Sequence, residues 1–284
     1  MDMKINKNHL FLLLSVYMVL FSSCSDSLSD TTDGRLRYWI STLASDEFEG
    51  RAPGTEGGKL TKNFISKTFQ DLSLDPVNGE YLHKVPASEI TLKDSSYLTL
   101  SFRGNDRKMI TGQEVVFWTK QAREYRKIRD SEVVFVGYGI VAPEYNWNDY
   151  EGIDVRGKTV VILVNDPGFA TGKLRLFNGR SMTYYGRWTY KFEEAARQGA
   201  AAAIIVHEEE PAAYPWSVVE NSWQGPQLDL QREDLGADRA ILEGWIRDIT
   251  LDEVLNFTGF NYQSLKEIAL EKTFSAFPLR GLTL

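Results

Sequence analysis

Between residues 34 and 72 apolar side chains recur at helical spacing. Leu36, Ile40 and Leu43 predict one helix; Leu60, Phe64 and Leu72, with Thr68 between them, predict a second that Asp75-Pro76 stops. The intervening SDEFEGRAPGTEGG is punctuated by Gly50, Pro53, Gly54, Gly57 and Gly58 and predicts a loop. Two amphipathic helices cannot enclose a core by themselves. From about Tyr81 the period shortens to two: SYLTLSF alternates Leu98, Leu100 and Phe102 with Thr99 and Ser101, and the polar turn GNDRK follows. EVVFV, KTVVILV and AAAAIIV are short unbroken apolar runs, the pattern of strands buried on both faces. RWTYKFEEAARQG lies between the last two. It predicts a crossover helix with Trp188, Phe192, Ala195 and Ala196 on its packed face and Gly199 as its stop.

The last third returns to helix. Thr250 and Glu253 have capping-box spacing, and Asn261 can cap a helix carrying Leu265, Ile268 and Ala269. FSAFPLRGLTL then predicts an extended segment that ends as an unpaired edge. No internal repeat is visible.

The first 24 residues follow a different logic. Lys4 and Lys7 precede an apolar run from Leu10 to Phe21, and Ser22-Ser23 precede Cys24. That is the order of a secretory signal, too short to span a bilayer. LFSSC resembles a bacterial lipobox, which implies acylation of Cys24 and a lipid anchor in the cell envelope. SDSLSDTTD behind it reads as a tether too polar to pack. A single cysteine excludes an internal disulfide, and with a net charge of −7 nothing suggests nucleic-acid binding, which normally shows a basic face.

Short catalytic motifs fail on inspection. His207-Glu208 begins like a helical zinc-protease motif, but the position of the second histidine is Pro211, and the stretch reads as the solvated end of a strand. Gly137-Tyr138-Gly139-Ile140-Val141-Ala142 matches a dinucleotide fingerprint, yet Pro143 follows where a helix should begin. GTEGGKL lacks both the first glycine and the hydroxyl of a P-loop. Ser181 lacks a nucleophile elbow, and Glu193-Glu194 reads as a solvated helix face. The residues assemble no catalytic centre and no metal site.

Three long segments carry a more specific signal: residues 43–76, 133–167 and 186–216. They run LASDEFEGRAPGTEGGKLTKNFISKTFQDLSLDP, VVFVGYGIVAPEYNWNDYEGIDVRGKTVVILVNDP and GRWTYKFEEAARQGAAAAIIVHEEEPAAYPW. In order and spacing they resemble the bacterial zinc-dependent aminopeptidases that carry an inserted protease-associated domain. The resemblance implies an α+β fold: a β-rich, barrel-like protease-associated domain with helices, plus the N-terminal helical pair of an incomplete α/β zinc-peptidase domain. In that family two zinc ions are held by an H-x-D motif, a Glu-Glu pair, a further acid and a distal histidine. The residues two beyond His9, His83 and His207 are Phe11, Val85 and Glu209, so no ligand carries over.

The expected organisation is a signal peptide over 1–24 and a tether over 25–33. A helical segment of the peptidase domain covers 34–80, the protease-associated domain with flanking strands 81–249, and a helical tail 250–284. By the resemblance the peptidase domain would begin where the tail ends. The chain would bind no cofactor itself, the two zinc ions and the peptide substrate belonging to the complete enzyme. Leu36, Ile40, Leu60, Phe64 and Leu72 are then expected to face water or to pack opportunistically. Two alternatives stand beside this: a free-standing protease-associated lipoprotein that binds peptides or a partner protein, and a degenerate remnant without function.

Overall fold

The computed structural model describes residues 32–284, which fall into two compact units divided after Lys84. The leader and Cys24 lie outside the described residues. No helix among the described residues is long and apolar enough to cross a membrane.

The first unit holds helices α1 (Thr32–Leu43) and α2 (Glu56–Asp71), joined through a 3-10 stretch over Asp46–Arg51. Thr55 caps α2 by accepting a bond from the Gly58 amide at 3.1 Å. Arg51, itself at positive φ, donates to the Leu43 carbonyl and ties the loop to the end of α1. Leu36, Ile40, Leu60 and Leu72 are exposed, as expected. Phe64 is half-buried and packs locally: its ring meets buried Phe48 edge-on at 6.0 Å and Tyr38 at 6.1 Å.

The second unit is built on a mixed sheet. Its strands are β1 (Ala87–Ile90), β2 (Thr99–Phe102), β3 (Asn105–Lys108), β4 (Val115–Trp118), β5 (Glu132–Phe135) and β6 (Val141–Ala142). They continue with β7 (Trp147–Asn148), β8 (Thr159–Leu163), β9 (Ala202–His207), β10 (Gln227–Leu230), β11 (Leu242–Arg247) and β12 (Phe277–Thr283). Eight of them form one sheet in the order β3-β2-β12-β5-β8-β9-β11-β4; β1 pairs with β10 and β6 with β7. The four central strands β5, β8, β9 and β11 are parallel, and β12 and β4 flank them antiparallel.

Both faces of the parallel strands are covered, which is why their sequences read as unbroken apolar runs. Phe135, Leu163, Ile204 and Val206 face one core, joined by Leu251 and Leu255 of α7 (Asp248–Leu255) and Leu265 of α8 (Tyr262–Ile268). Val134, Ile162, Ala203 and Ile205 face the other. There Phe192 and Ala195 arrive from the crossover helix (Trp188–Arg197), and Trp216 and Val219 from a later helix (Trp216–Ser222). Two short helices complete the unit. In chain order the helices of this unit are α3 (Pro167–Thr171), α4 (Trp188–Arg197), α5 (Glu209–Ala212), α6 (Trp216–Ser222), α7 and α8.

Two expectations are corrected here. The segment expected as an unpaired edge is β12, and it lies inside the sheet between β2 and β5. Its register shifts between Pro278 and Thr283, so the irregular sequence reflects a bulged interior strand. Thr250 caps nothing, because α7 starts two residues earlier and Thr250 is buried within it. Asn261 does cap α8, accepting from the Ser264 amide at 2.8 Å.

Candidate functional site

In parallel sheets ligands settle outside the carboxyl ends of the strands. Here that edge collects the residues that the short motifs single out. After β5 the chain turns through Gly137 and Gly139, both at positive φ. A Cβ at Gly137 would come 2.9 Å from the Phe274 ring, and one at Gly139 2.9 Å from Ile162. The two glycines therefore serve a tight turn under close packing. No helix follows to hold a pyrophosphate; the next element is the short strand β6.

The turn leaves the Tyr138 carbonyl pointing inward, where it accepts a 2.7 Å bond from the Lys191 ammonium of α4. Lys191 is fully buried. Near it lies buried Asp149, whose carboxylate accepts from the Ile140 amide at 2.9 Å and the Trp147 indole at 2.7 Å. Burial pushes Lys191 down to about 7, against the attraction of Asp149 and Asp166. Burial also pushes Asp149 up to about 7, although its two donors and Lys191 all favour the anion.

Beyond β8, Asp166 is the staple of the long connection to β9. One oxygen accepts from the Gly168 and Phe169 amides at the start of α3; the other accepts from the Thr183 amide at 3.1 Å and hydroxyl at 2.7 Å. The adjacent Asn165 side chain donates to the Pro211 carbonyl at 2.8 Å. The Asp166 carboxylate thus closes the connection after β8 on itself, and the Asn165 amide fastens that connection to the one after β9.

His207 ends β9, and it is buried, where a solvated strand end is expected; only Glu209 and Glu210 are exposed. Its Nε2 donates to the Tyr214 carbonyl at 3.1 Å, and its ring sits among Tyr214, Trp216 and Trp245 at 5.5–6.0 Å. Burial holds its pKa below the ordinary histidine value, the Tyr214 carbonyl acting the other way. Glu208 accepts from the Tyr262 hydroxyl at 2.7 Å and from the Lys266 ammonium. Burial, reinforced by the Glu208 charge, drives the Tyr262 phenol far above its usual range. Glu194 is likewise buried and bonded to Arg197 and Gln198, whereas Glu193 keeps the partly solvated place expected for that pair.

The buried and half-buried ionisable groups described at this edge are therefore engaged by neighbours within the fold. The two zinc ions that the resemblance implies do not fit it. His207 gives its Nε2 to a carbonyl, Glu208 is held by a phenol and an ammonium, and no three of His, Cys, Asp and Glu converge as a donor set among the described residues. The edge is a clamp. An open space among the described residues lies elsewhere: a cavity of about 450 Å³ at the amino end of the same strands, lined from residues 90–93, 95–99, 117–119, 123–128, 241–242 and Leu284. No sequence motif marks it, although the run of five cations between Lys120 and Arg129 is its one visible trace.

No protein-family model matches the chain, and no curated protein matches it. Among solved structures it is similar to an aminopeptidase from Aneurinibacillus sp. strain AM-1, at 17% identity over 78% of this chain and 42% of that one, with a TM-score of 0.35. It is also similar to BSAP, a zinc aminopeptidase from Bacillus subtilis, at 20% identity over 72% and 42%, with a TM-score of 0.26. The chain thus spans less than half the length of each, and superpositions this loose leave its fold and activity unassigned.

Proposed function

We propose that this chain is the non-catalytic, N-terminal part of an exported zinc aminopeptidase, whose complete form removes N-terminal residues from peptides. The observation that carries the reading is the ordered set of three segments, 43–76, 133–167 and 186–216, that resemble such enzymes. Two of them build adjoining parts of one sheet, β5 to β8 and α4 to β9, as parts of a single inserted domain would. Engagement of His207, Glu208, Asp149 and Asp166 within the fold supports a structural role for this part.

The test is turnover of aminoacyl-nitroanilides by the purified chain with and without added zinc. We expect none; zinc-dependent turnover abolished by a chelator would overturn the reading. Sequencing beyond the codon for Leu284 tests the other half. In-frame H-x-D and Glu-Glu motifs support the enzyme, and their absence favours a free-standing binding lipoprotein, the reading to which the open cavity lends weight. Export with acylation at Cys24 belongs to both readings. Mass spectrometry of the mature N-terminus, in wild type and Cys24→Ala, checks it: an unlipidated wild-type terminus counts against export through a lipid anchor.

A further inference from the structure

The cavity at the amino end of the parallel strands has a floor and a rim of different chemistry. Buried Leu98 and Phe117, with half-buried Ile128 and Leu242, form the apolar floor. Around the mouth stand Lys93, Arg123, Arg126 and Lys127, with Glu124 as the one acidic side chain in the lining. Glu124 pairs with Lys93 at 3.8 Å, but both are exposed and such a pair contributes little. Among the described residues no carboxylate comes within ion-pair distance of Arg123, Arg126 or Lys127; Arg126 is turned onto the Gln121 side chain. The charge is local. Thr119–Asp130 holds Lys120, Arg123, Arg126, Lys127 and Arg129 against Glu124 and Asp130, in a chain whose net charge is −7.

The cations border two irregular strips of backbone, residues 91–95 and 124–130, that belong to no helix or strand. Among the described residues, the amides of 124–130 and of 92–95 donate to no protein acceptor. Most of the carbonyls between them are equally open. A ligand that only accepts hydrogen bonds, such as a phosphate or a fatty acid, leaves those carbonyls unmet. An extended peptide carries both donors and acceptors in alternation and can answer both.

We propose that this cavity binds an extended acidic peptide, with an apolar side chain on Leu98 and Phe117 and carboxylates on Arg123, Lys127 and Lys93. The occupant is independent of whether the complete protein is a peptidase. Each rim cation sits where a carboxylate is drawn in from solvent, so the complex should weaken as salt rises.

The test uses the purified full chain and two rhodamine-labelled peptides, Glu-Asp-Leu-Glu-Asp and Lys-Lys-Leu-Lys-Lys, followed by fluorescence anisotropy. The acidic peptide should bind at least about tenfold more tightly than the basic one, and raising salt should weaken it. The pair Arg123→Ala and Lys127→Ala, both exposed and bonded to nothing that holds the fold, should weaken it by about tenfold at an unchanged unfolding midpoint. Equal binding of the two peptides, or an acidic peptide indifferent to the double substitution, overturns the proposal. So does complete displacement by laurate or inorganic phosphate at peptide-equivalent concentration, which would assign the cavity to a simple anion.

Discussion

Replacing Lys191 with methionine keeps the length and bulk of the side chain while removing its charge from a fully buried position. In the unfolded chain the lysine holds its proton to about 10.4. In the fold, burial brings that value down to about 7. Between those limits the unfolded state binds more protons, so stability rises with pH. The lysine's favourable contribution is thus complete only above its unfolded value, and it is lost as pH falls toward 7. From pH 7 to pH 10 the gain amounts to about 4 kcal/mol. Asp149 works in the opposite sense. Its folded value is raised from 3.8 to about 7, so its contribution is present in acid and lost as pH rises toward 7. The two together place a minimum of stability near neutrality.

In Lys191→Met the alkaline limb should disappear, and Asp149, having lost a neighbour that favours its anion, should stay protonated to higher pH. At neutrality the variant forfeits the bond to the Tyr138 carbonyl, which leaves a buried acceptor unmet at a cost of about 1–3 kcal/mol. Relief from burying an ammonium offsets that loss. Urea unfolding at intervals from pH 6 to pH 10 measures both proteins. The difference in stability, wild type minus variant, should grow by about 4 kcal/mol from pH 7 to pH 10. The phenols of Tyr138, Tyr190 and Tyr262 are all raised and are common to both proteins, so they largely cancel. Profiles that run parallel across this range refute the reasoning, because they mean that Lys191 carries its proton alike in both states.

Two further substitutions probe the clamp and the sheet. Arg239→Met leaves the fully buried Glu243 carboxylate, now 2.9 Å from that guanidinium and 3.1 Å from the Trp118 indole, without its countercharge. It should cost about 3–5 kcal/mol in urea unfolding, and adding Glu243→Leu should recover most of it; no recovery in the double variant would show that the loss is packing alone. Gly168→Ala drives a methyl group into the Leu176 carbonyl beneath α3. It should destabilise by about 1–3 kcal/mol and open the 166–187 connection to limited proteolysis first, whereas an unchanged cleavage pattern would mean that Asp166 does not hold that segment.

Much of the sheet was legible in the sequence, for a physical reason. Strands buried on both faces lose their alternation and become the runs EVVFV, KTVVILV and AAAAIIV; EVVFW over 114–118 has the same pattern and forms β4. β12 was not legible as an interior strand. Pro278 and Gly281 interrupt its ladder, and only the pairing with β2 and β5, contacts distant in sequence, shows that it is enclosed. The clamp was half legible. Lys191 lies three residues after Trp188, one before Phe192 and four before Ala195, on the packed face of α4, so helical spacing alone marks it as a buried lysine. Asp149 and Asp166 carry no such mark, because their burial comes from loops folding over one another. His207 is misread for the same reason: a histidine before three glutamates looks solvated until Tyr214, Trp216 and Trp245 close around it.

The contrast between the two ends of the sheet follows from its connectivity. Each parallel step, β5 to β8, β8 to β9 and β9 to β11, must leave from the carboxyl edge and return to the amino edge. These connections are long, and they emerge side by side. They therefore meet one another at the carboxyl edge, where Asn165 and Lys191 join them through polar bonds and Asp166 staples the connection after β8 internally. At the amino edge the same connections arrive compactly, as where the Gly157 amide donates to the Gly199 carbonyl at 2.9 Å. What remains there are the approaches to the antiparallel strands, residues 91–98 before β2 and 119–131 after β4. With no crossover to bury them, they keep open backbone and exposed cations. In this sheet the carboxyl edge, where ligands usually bind, is occupied by the fold's own clamp, and the antiparallel margins leave the cavity at the other end.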